Sequence, residues 1–274
     1  MSLPRRRLSL LLALTPGIGG KSVARILQRN DLMGRSPEEF LRFAPEVYRE
    51  EYKITAKAAR ALAERRQSLA DIEAMEKRLD ALGVSLVTAD DVHYPRKLEA
   101  MDPDPPGVLF LYGNQKLLSA KAFCVLSSRN TPPSGLETIE RLAEEGVLRG
   151  EVLVSGHDRP EYQRSAVVPL RWGAPRILVL DRGLFDALGE NLREEPFRAA
   201  RLWRYQFDPG TDLVVSPFRP ESRFIGVNNQ VRDRLVAGLS DRLDFVHVAE
   251  GGMMEKLADR ARRSGRQVVR QEPG

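Results

Sequence analysis

Cysteine is nearly absent: Cys124 is the only one in 274 residues. One thiol cannot close an internal disulfide, so no disulfide framework holds the chain, and this usage suits a reducing compartment, the cytoplasm. Cys124 lies in the apolar run Ala122 to Ser127, where a buried structural thiol is expected. Histidine is also scarce. His93, His157 and His247 are the only three, and none stands at metal-ligand spacing, so no metal site is expected. Long hydrophobic runs are missing too, since no stretch approaches the roughly 18 apolar residues of a membrane span. The opening Arg5 to Leu14 has the charged start and apolar run of a secretory signal. Thr15-Pro16-Gly17 then follows where an Ala-x-Ala cleavage site would stand, so this stretch is expected to be a folded helix. No Gly-x-Ser-x-Gly elbow occurs and Ser155 has no recognisable base, which argues against a serine hydrolase. Internal repeats and low-complexity tracts are absent.

What is present suits a folded soluble chain, with 42% hydrophobic and 30% charged residues. The length accommodates one large domain and one small one. The formal net charge of +5 turns the partner list toward polyanions. From Pro4 to Gln67 basic residues outnumber acidic ones two to one, which makes a basic head on a more balanced body.

The first eighty residues carry helical patterns. Ser36-Pro37-Glu38-Glu39 supplies an N-cap, a proline at the first helical position and two acids over the positive helix end, predicting a helix through Phe40 and Phe43. A second start at Thr55 leads into Leu62, Leu69, Ile72, Met75, Leu79 and Leu82 at helical spacing, closed by Gly83, so one long amphipathic helix is expected. From Val84 the period changes. Strands are predicted at Val84 to Val87, Val108 to Tyr112, Ala122 to Ser127, Glu151 to Ser155, Arg176 to Leu180, Asp212 to Ser216, Asp244 to Val248 and Gln267 to Val269. Helices are predicted at Leu136 to Glu145, Ala187 to Leu202 and Met254 to Arg263. Ser134-x-x-Glu137 reads as a capping box, whose acid would repel a phosphate from that helix end. This alternation predicts an α/β fold: a Rossmann-like, doubly wound, mostly parallel sheet over 83–274, preceded by an all-helical domain over 1–82.

Leu14-Thr15-Pro16-Gly17-Ile18-Gly19-Gly20-Lys21-Ser22 admits three readings. Gly20-Lys21-Ser22 fits the end of a phosphate-binding P-loop, but Thr15 stands where its first glycine belongs. A helix-hairpin-helix would place Gly17-Ile18-Gly19 in the hairpin with Ile18 inward, so that Gly17, Gly19 and Lys21 approach DNA phosphates. A plain helical turn is the third.

The order Tyr94-Pro95, Leu98, Asp102-Pro103-Asp104-Pro105-Pro106, Leu109-Phe110 and Gly113-Asn114 closely resembles the strand leading into the Rossmann-like domain of the DprA/Smf family. The resemblance runs on through Val125 to Arg129 with Ser134 and Gly135, then Ser155-Gly156 with Arg159, Gly173, Gly183-Leu184, and Arg232-Asp233-Arg234-Leu235-Val236-Ala237-Gly238-Leu239-Ser240. A helical head of the helix-hairpin-helix or SAM-like kind is also similar to the family's. Departures fall in the same register. Pro160-Glu161-Tyr162 replaces the family's Gly-Ile-Asp, Ala166 its following histidine, Val246-His247-Val248 its Val-Val-Glu-Ala, and Gly252-Met253-Met254 its Ser-Gly-Ser turn. Glu250 is not the family's glutamate.

The resemblance implies single-stranded DNA as partner, with a role in protecting incoming DNA and helping to load a RecA-type recombinase during uptake and recombination. It also implies a homodimer formed through the Rossmann-like domain, no membrane, no cofactor and no catalysis. The expected DNA-binding residues are Arg129, Arg159, Arg232 and Arg234 lining one positive groove at strand ends, with Ser134, Ser155 and Gly156, and with Gly17, Gly19 and Lys21 in the head. No winged helix is expected at the Pro273-Gly274 end. Two rivals stay open: a nucleotide-binding or phosphoribohydrolase-like enzyme or sensor, and a diverged scaffold that binds protein rather than DNA.

Overall fold

A computed structural model describes residues 3–196 and 198–271. Pro273 and Gly274, on which the winged-helix expectation rests, lie outside the described residues. The chain divides into two compact units, 1–94 with 106–110, and 95–105 with 111–274.

The first unit opens with α1 (Arg5–Leu14) and α2 (Gly20–Leu32). They form the expected helical hairpin: Gly17 takes φ +82°, where glycine carries no steric penalty, and Ile18 is buried between the arms. A helix, not a strand, precedes Gly20-Lys21-Ser22, so the P-loop reading falls. Gly20 serves packing instead, because a Cβ there would sit 2.4 Å from the backbone nitrogen of Gly107. Next come α3 (Pro37–Leu41) and α4 (Pro45–Glu50). Ser36 caps α3 with the expected reciprocal box, its hydroxyl accepting from Glu39 N at 3.2 Å and Glu39 accepting from Ser36 N at 2.7 Å. The helix stops before Phe43 because Pro45 opens the next one and restricts the residue ahead of it to extended backbone. Phe40 then packs tilted against Tyr48 and edge-to-face against Tyr52, with ring centroids 5.0 Å away in each case. The long helix expected from Thr55 is divided into α5 (Ala56–Arg65) and α6 (Leu69–Ala81) by a 3-10 turn at Arg66–Ser68. Thr55 caps its start and Gly83, at φ +74°, closes its end as predicted. β1 (Val84–Thr88) and the first half of β2 (Val108–Gly113) complete this unit.

The second unit holds α7 (Lys97–Met101), the end of β2, β3 (Ala122–Leu126), α8 (Pro133–Leu148), β4 (Val152–Ser155), α9 (Pro160–Ala166) and α10 (Val168–Trp172). These are followed by β5 (Arg176–Val179), α11 (Leu184–Leu188), β6 (Leu213–Ser216), α12 (Asn228–Leu239), β7 (Arg242–Phe245), α13 (Met253–Arg263) and β8 (Gln267–Arg270). Strands stand at all eight expected places, but the seventh is shifted: β7 spans Arg242–Phe245, and Val246 to Val248 of the expected Asp244 to Val248 lie beyond it. In this unit they run in the order β2-β6-β5-β4-β3-β7-β8, with parallel pairing from β6 across to β8. This is the Rossmann-like, doubly wound arrangement. Central strands β3 to β6 are buried along their whole length, as a sheet covered on both faces requires. Phe123, Val125, Ile139, Leu142 and Leu153 form one core layer between sheet and helices, and Cys124 is buried as expected.

Two local expectations are corrected. Ala187 to Leu202 is not one helix: Gly189 at φ +75° ends α11, and Leu192 at φ +57° turns the chain back. That turn brings Glu195 to the fully buried Arg176, which pairs with Glu195 and Asp212 at 2.8 Å each. The Ser134 capping box does not form either, because α8 begins at Pro133 with Pro132 in the cap position and no side-chain cap.

Candidate functional site

In an open parallel sheet, ligands sit beyond the carboxyl ends of the strands where the strand order reverses. Here that point lies between β3 and β7. The chain leaving β3 passes Ser127, Ser128 and Arg129, and the chain leaving β7 passes His247 and Glu250. The crevice is stapled: Ser128 N donates to His247 O at 2.6 Å, Ser127 Oγ to the same carbonyl at 3.2 Å, and Ala249 N to Ser128 Oγ at 2.9 Å. Just ahead of α13 one further amide is engaged, since Gly251 N donates to Glu255 Oε2 at 2.7 Å. A phosphate arriving there would compete with a carboxylate built into the chain.

One strand further on, Ser155 and Gly156 end β4. Both are buried. Ser155 Oγ donates to Gly156 O at 2.8 Å, and a Cβ on Gly156 would lie 2.8 Å from the Tyr162 ring and 2.9 Å from Arg232 Cδ. Tyr162, standing where the family pattern has aspartate, therefore fills the space beneath this turn. Its hydroxyl donates to Asp233 Oδ1 at 2.6 Å, and burial, with Asp233 adding to it, raises its pKa well above the ordinary tyrosine value.

The four arginines do not form one open groove, and two of them stand on helix α12 rather than at strand ends. Arg232 is completely buried. Its guanidinium lies 4.8 Å above the Tyr162 ring and pairs with Asp158, with Asp233 at 3.0 Å and with Asp181 at 3.4 Å. Burial opposes its charge, but Tyr162, Asp233 and Asp158 outweigh burial and hold its pKa above arginine's ordinary value. Arg234 is two residues along the helix and so faces elsewhere, reaching the buried Asp102 at 2.9 Å. Asp102 belongs to the Asp-Pro-rich segment of the family pattern, so that segment's acid anchors α12.

Arg129 and Arg159 remain. Arg129 is exposed, and neither it nor Arg159 has an ion-pair partner among the described residues. Arg159 is half-buried, sets its guanidinium 5.2 Å from the centre of the Tyr162 ring and donates from Nη2 to Ser127 O at 3.5 Å, which places it beside the loop that carries Arg129. Its Nε is buried without a hydrogen-bond partner among the described residues. Ser134 lies in the first turn of α8. Gly17, Gly19 and Lys21 are in the other unit, exposed on the hairpin and the first turn of α2.

The sequence reading missed the acids that neutralise this region. Asp181, fully buried after β5, lies 3.5 Å from His157 Nε2 and 2.9 Å from Arg182 Nε. Burial pushes its carboxyl up, yet His157 and Arg182 overcome that and hold it below the usual carboxylate range. Asp158 and Asp233 adjoin the predicted arginines in the chain, which was the available signal. Arg182 also covers the half-exposed Phe224 at 5.4 Å. Among the described residues no group of acids, histidines and cysteines is placed to hold a metal ion, and no helix is long and apolar enough to cross a membrane.

No curated protein matches the chain. The family model for DNA recombination-mediator protein A matches residues 85–272. Among solved structures, DNA processing protein A (DprA) from Streptococcus pneumoniae is similar over 100% of this chain and 88% of its own, at 19% identity and a TM-score of 0.73. DNA processing protein A from Helicobacter pylori, whose structure is described for its single-stranded DNA binding mode, is similar over 69% of this chain and 82% of its own, at 18% identity and a TM-score of 0.52. With its family pattern matched from β1 to beyond β8, the chain belongs to the DNA recombination-mediator protein A (DprA) family.

Proposed function

We propose that this protein binds single-stranded DNA at the carboxyl ends of β3 and β4 and acts in recombination as a cytoplasmic homodimer that shields the strand and assists a RecA-type recombinase. One observation carries the reading: Arg129 and Arg159, neighbours through Ser127, have no carboxylate partner among the described residues, whereas Arg232 and Arg234 are both paired with acids. Arginine grips phosphate oxygens with parallel hydrogen bonds and stays charged at every relevant pH. The likeness to the Helicobacter pylori protein supports the choice of ligand. Ser155 and Gly156 support the site from beneath, Ser134 flanks it, and Gly17, Gly19 and Lys21 offer phosphate contacts in the head. The proposal includes no catalysis. A nucleotide hydrolase would need the space that Tyr162 fills, and the Glu255 carboxylate stands at the start of α13, where it accepts from Gly251 N.

The test is a titration with labelled oligo-dT repeated across salt, with duplex as competitor. Affinity should fall steeply with salt, and duplex should compete poorly because no helix is offered for major-groove reading. Equal competition by duplex would refute the strand preference.

A further inference from the structure

The helical unit has a cavity of about 520 Å³ between α2 and the segment joining α4 to α5. Arg25, Arg29 and Leu32 stand on one face of α2, at spacings of four and three residues. Lys53 faces them from a left-handed backbone position at φ +52°, costly for a side chain with a Cβ, and Arg25 holds that turn by donating to the Lys53 carbonyl at 3.2 Å. Of the two acids in the lining, Glu51 is already paired with Arg35 at 2.6 Å. Arg29 has its Nε buried without a hydrogen-bond partner among the described residues and its guanidinium 6.0 Å from the Tyr52 ring. Leu32 is 83% exposed at the lip. Three cations thus converge where Glu50 is the lining carboxylate without an ion-pair partner among the described residues, beside an apolar edge, in a volume suited to a small ligand.

We propose that this cavity binds a nucleotide through its phosphate: Arg29 and Lys53 take the phosphate oxygens, Arg25 supplies the wall and a third charge, and Leu32 packs against the attached sugar or base. The phosphate arrives either on a free nucleotide or as one link of a single strand. In the second case the inference extends the reading above to a second contact.

Photo-crosslinking of the full-length protein with oligo-dT carrying 5-iododeoxyuridine, followed by peptide mapping, separates the possibilities, with dTMP as the small probe in equilibrium dialysis. The expected result is an adduct within residues 28–33 or 50–54, reduced about tenfold in the R29A/K53G double variant, the effect of a lost charge-assisted contact. Glycine at 53 removes the charge while suiting the backbone. L32D, at an exposed position, should reduce the same adduct without unfolding. Retention of dTMP by the parent and its loss in R29A/K53G identifies a free nucleotide as a source; a head adduct without dTMP retention identifies the strand. Adducts in 111–271 with none in the head, and no dTMP retention, overturn this inference alone. An undiminished head adduct in both variants also overturns it. No adduct anywhere and no dTMP retention overturn both readings, whereas dTMP retention without strand adducts upholds the cavity and removes the strand-binding proposal.

Discussion

Tyr162 donates its hydroxyl to Asp233 at 2.6 Å, and both residues are buried beneath the turn that follows β4. Arg232 closes the arrangement, lying over the Tyr162 ring and pairing with the same carboxylate. A buried charge that loses its partner costs far more than an exposed one. Arg232→Ala should therefore destabilise the fold by about 3 to 5 kcal/mol, leaving Asp158, Asp181 and Asp233 facing each other. Tyr162→Phe should cost about 1 to 3 kcal/mol, because Asp233 keeps Arg232. Urea unfolding of both variants measures the difference. A stable Arg232→Ala protein that loses only DNA affinity would overturn the structural assignment of Arg232.

The architecture was legible because strand period and turn chemistry act locally: seven of the eight strands could be read from apolar and β-branched runs between glycine, proline and acidic breaks, whereas the β-branched run at Val246 to Val248 drew the expectation for β7 past its true end at Phe245. The capped start at Ser36 and the closing Gly83 were legible for the same reason. The site was legible only in part. Whether an arginine meets solvent or a carboxylate depends on residues far apart in the chain, as with Arg234 and Asp102 or Arg232 and Asp181. The turn at Gly189 to Leu192 was hidden likewise, since it serves the buried pairing of Glu195 with Arg176. Composition records none of these pairings.

Asp181 gives the fold a pH dependence of definite sign. Its carboxyl is held below the usual range by His157 and Arg182 against the effect of burial, so the folded state binds a proton there less readily than the unfolded state. Its contribution is fully present above the unfolded value of about 3.9 and is lost as the pH falls below it. In urea unfolding between pH 6 and pH 2, the parent should exceed Asp181→Asn in stability at the upper end, with the gap narrowing toward the acid end. A gap that widens on acidification would contradict the assignment.

Cys124 should be inert in the native protein. It is completely buried, and burial pushes its thiol up to about 12, so almost no thiolate exists at neutral pH. A disulfide reagent added at pH 8 is expected to react with one thiol per chain in denaturant and with none over the same interval in buffer. Rapid native labelling would show that the β3 core opens far more readily than its packing indicates.

The decisive comparison sets the uncommitted arginines against the paired ones. Arg129→Ala and Arg159→Ala should each weaken binding to oligo-dT by about 1 to 3 kcal/mol, the size of a lost charge-assisted contact. Each should also reduce the log–log salt slope by about 0.7, the value for one single-strand phosphate no longer neutralised. Neither removes an ion-pair partner among the described residues, so their unfolding curves should stay close to the parent's. Arg234→Ala should show the reverse pattern, with stability falling because the buried Asp102 loses its nearer ion-pair partner and keeps Arg260 at 3.5 Å, and with strand affinity near the parental value once folding is matched. If Arg129→Ala and Arg159→Ala both bind like the parent while folded, the carboxyl ends of β3 and β4 are not the DNA site, and the basic helical unit becomes the surface to test.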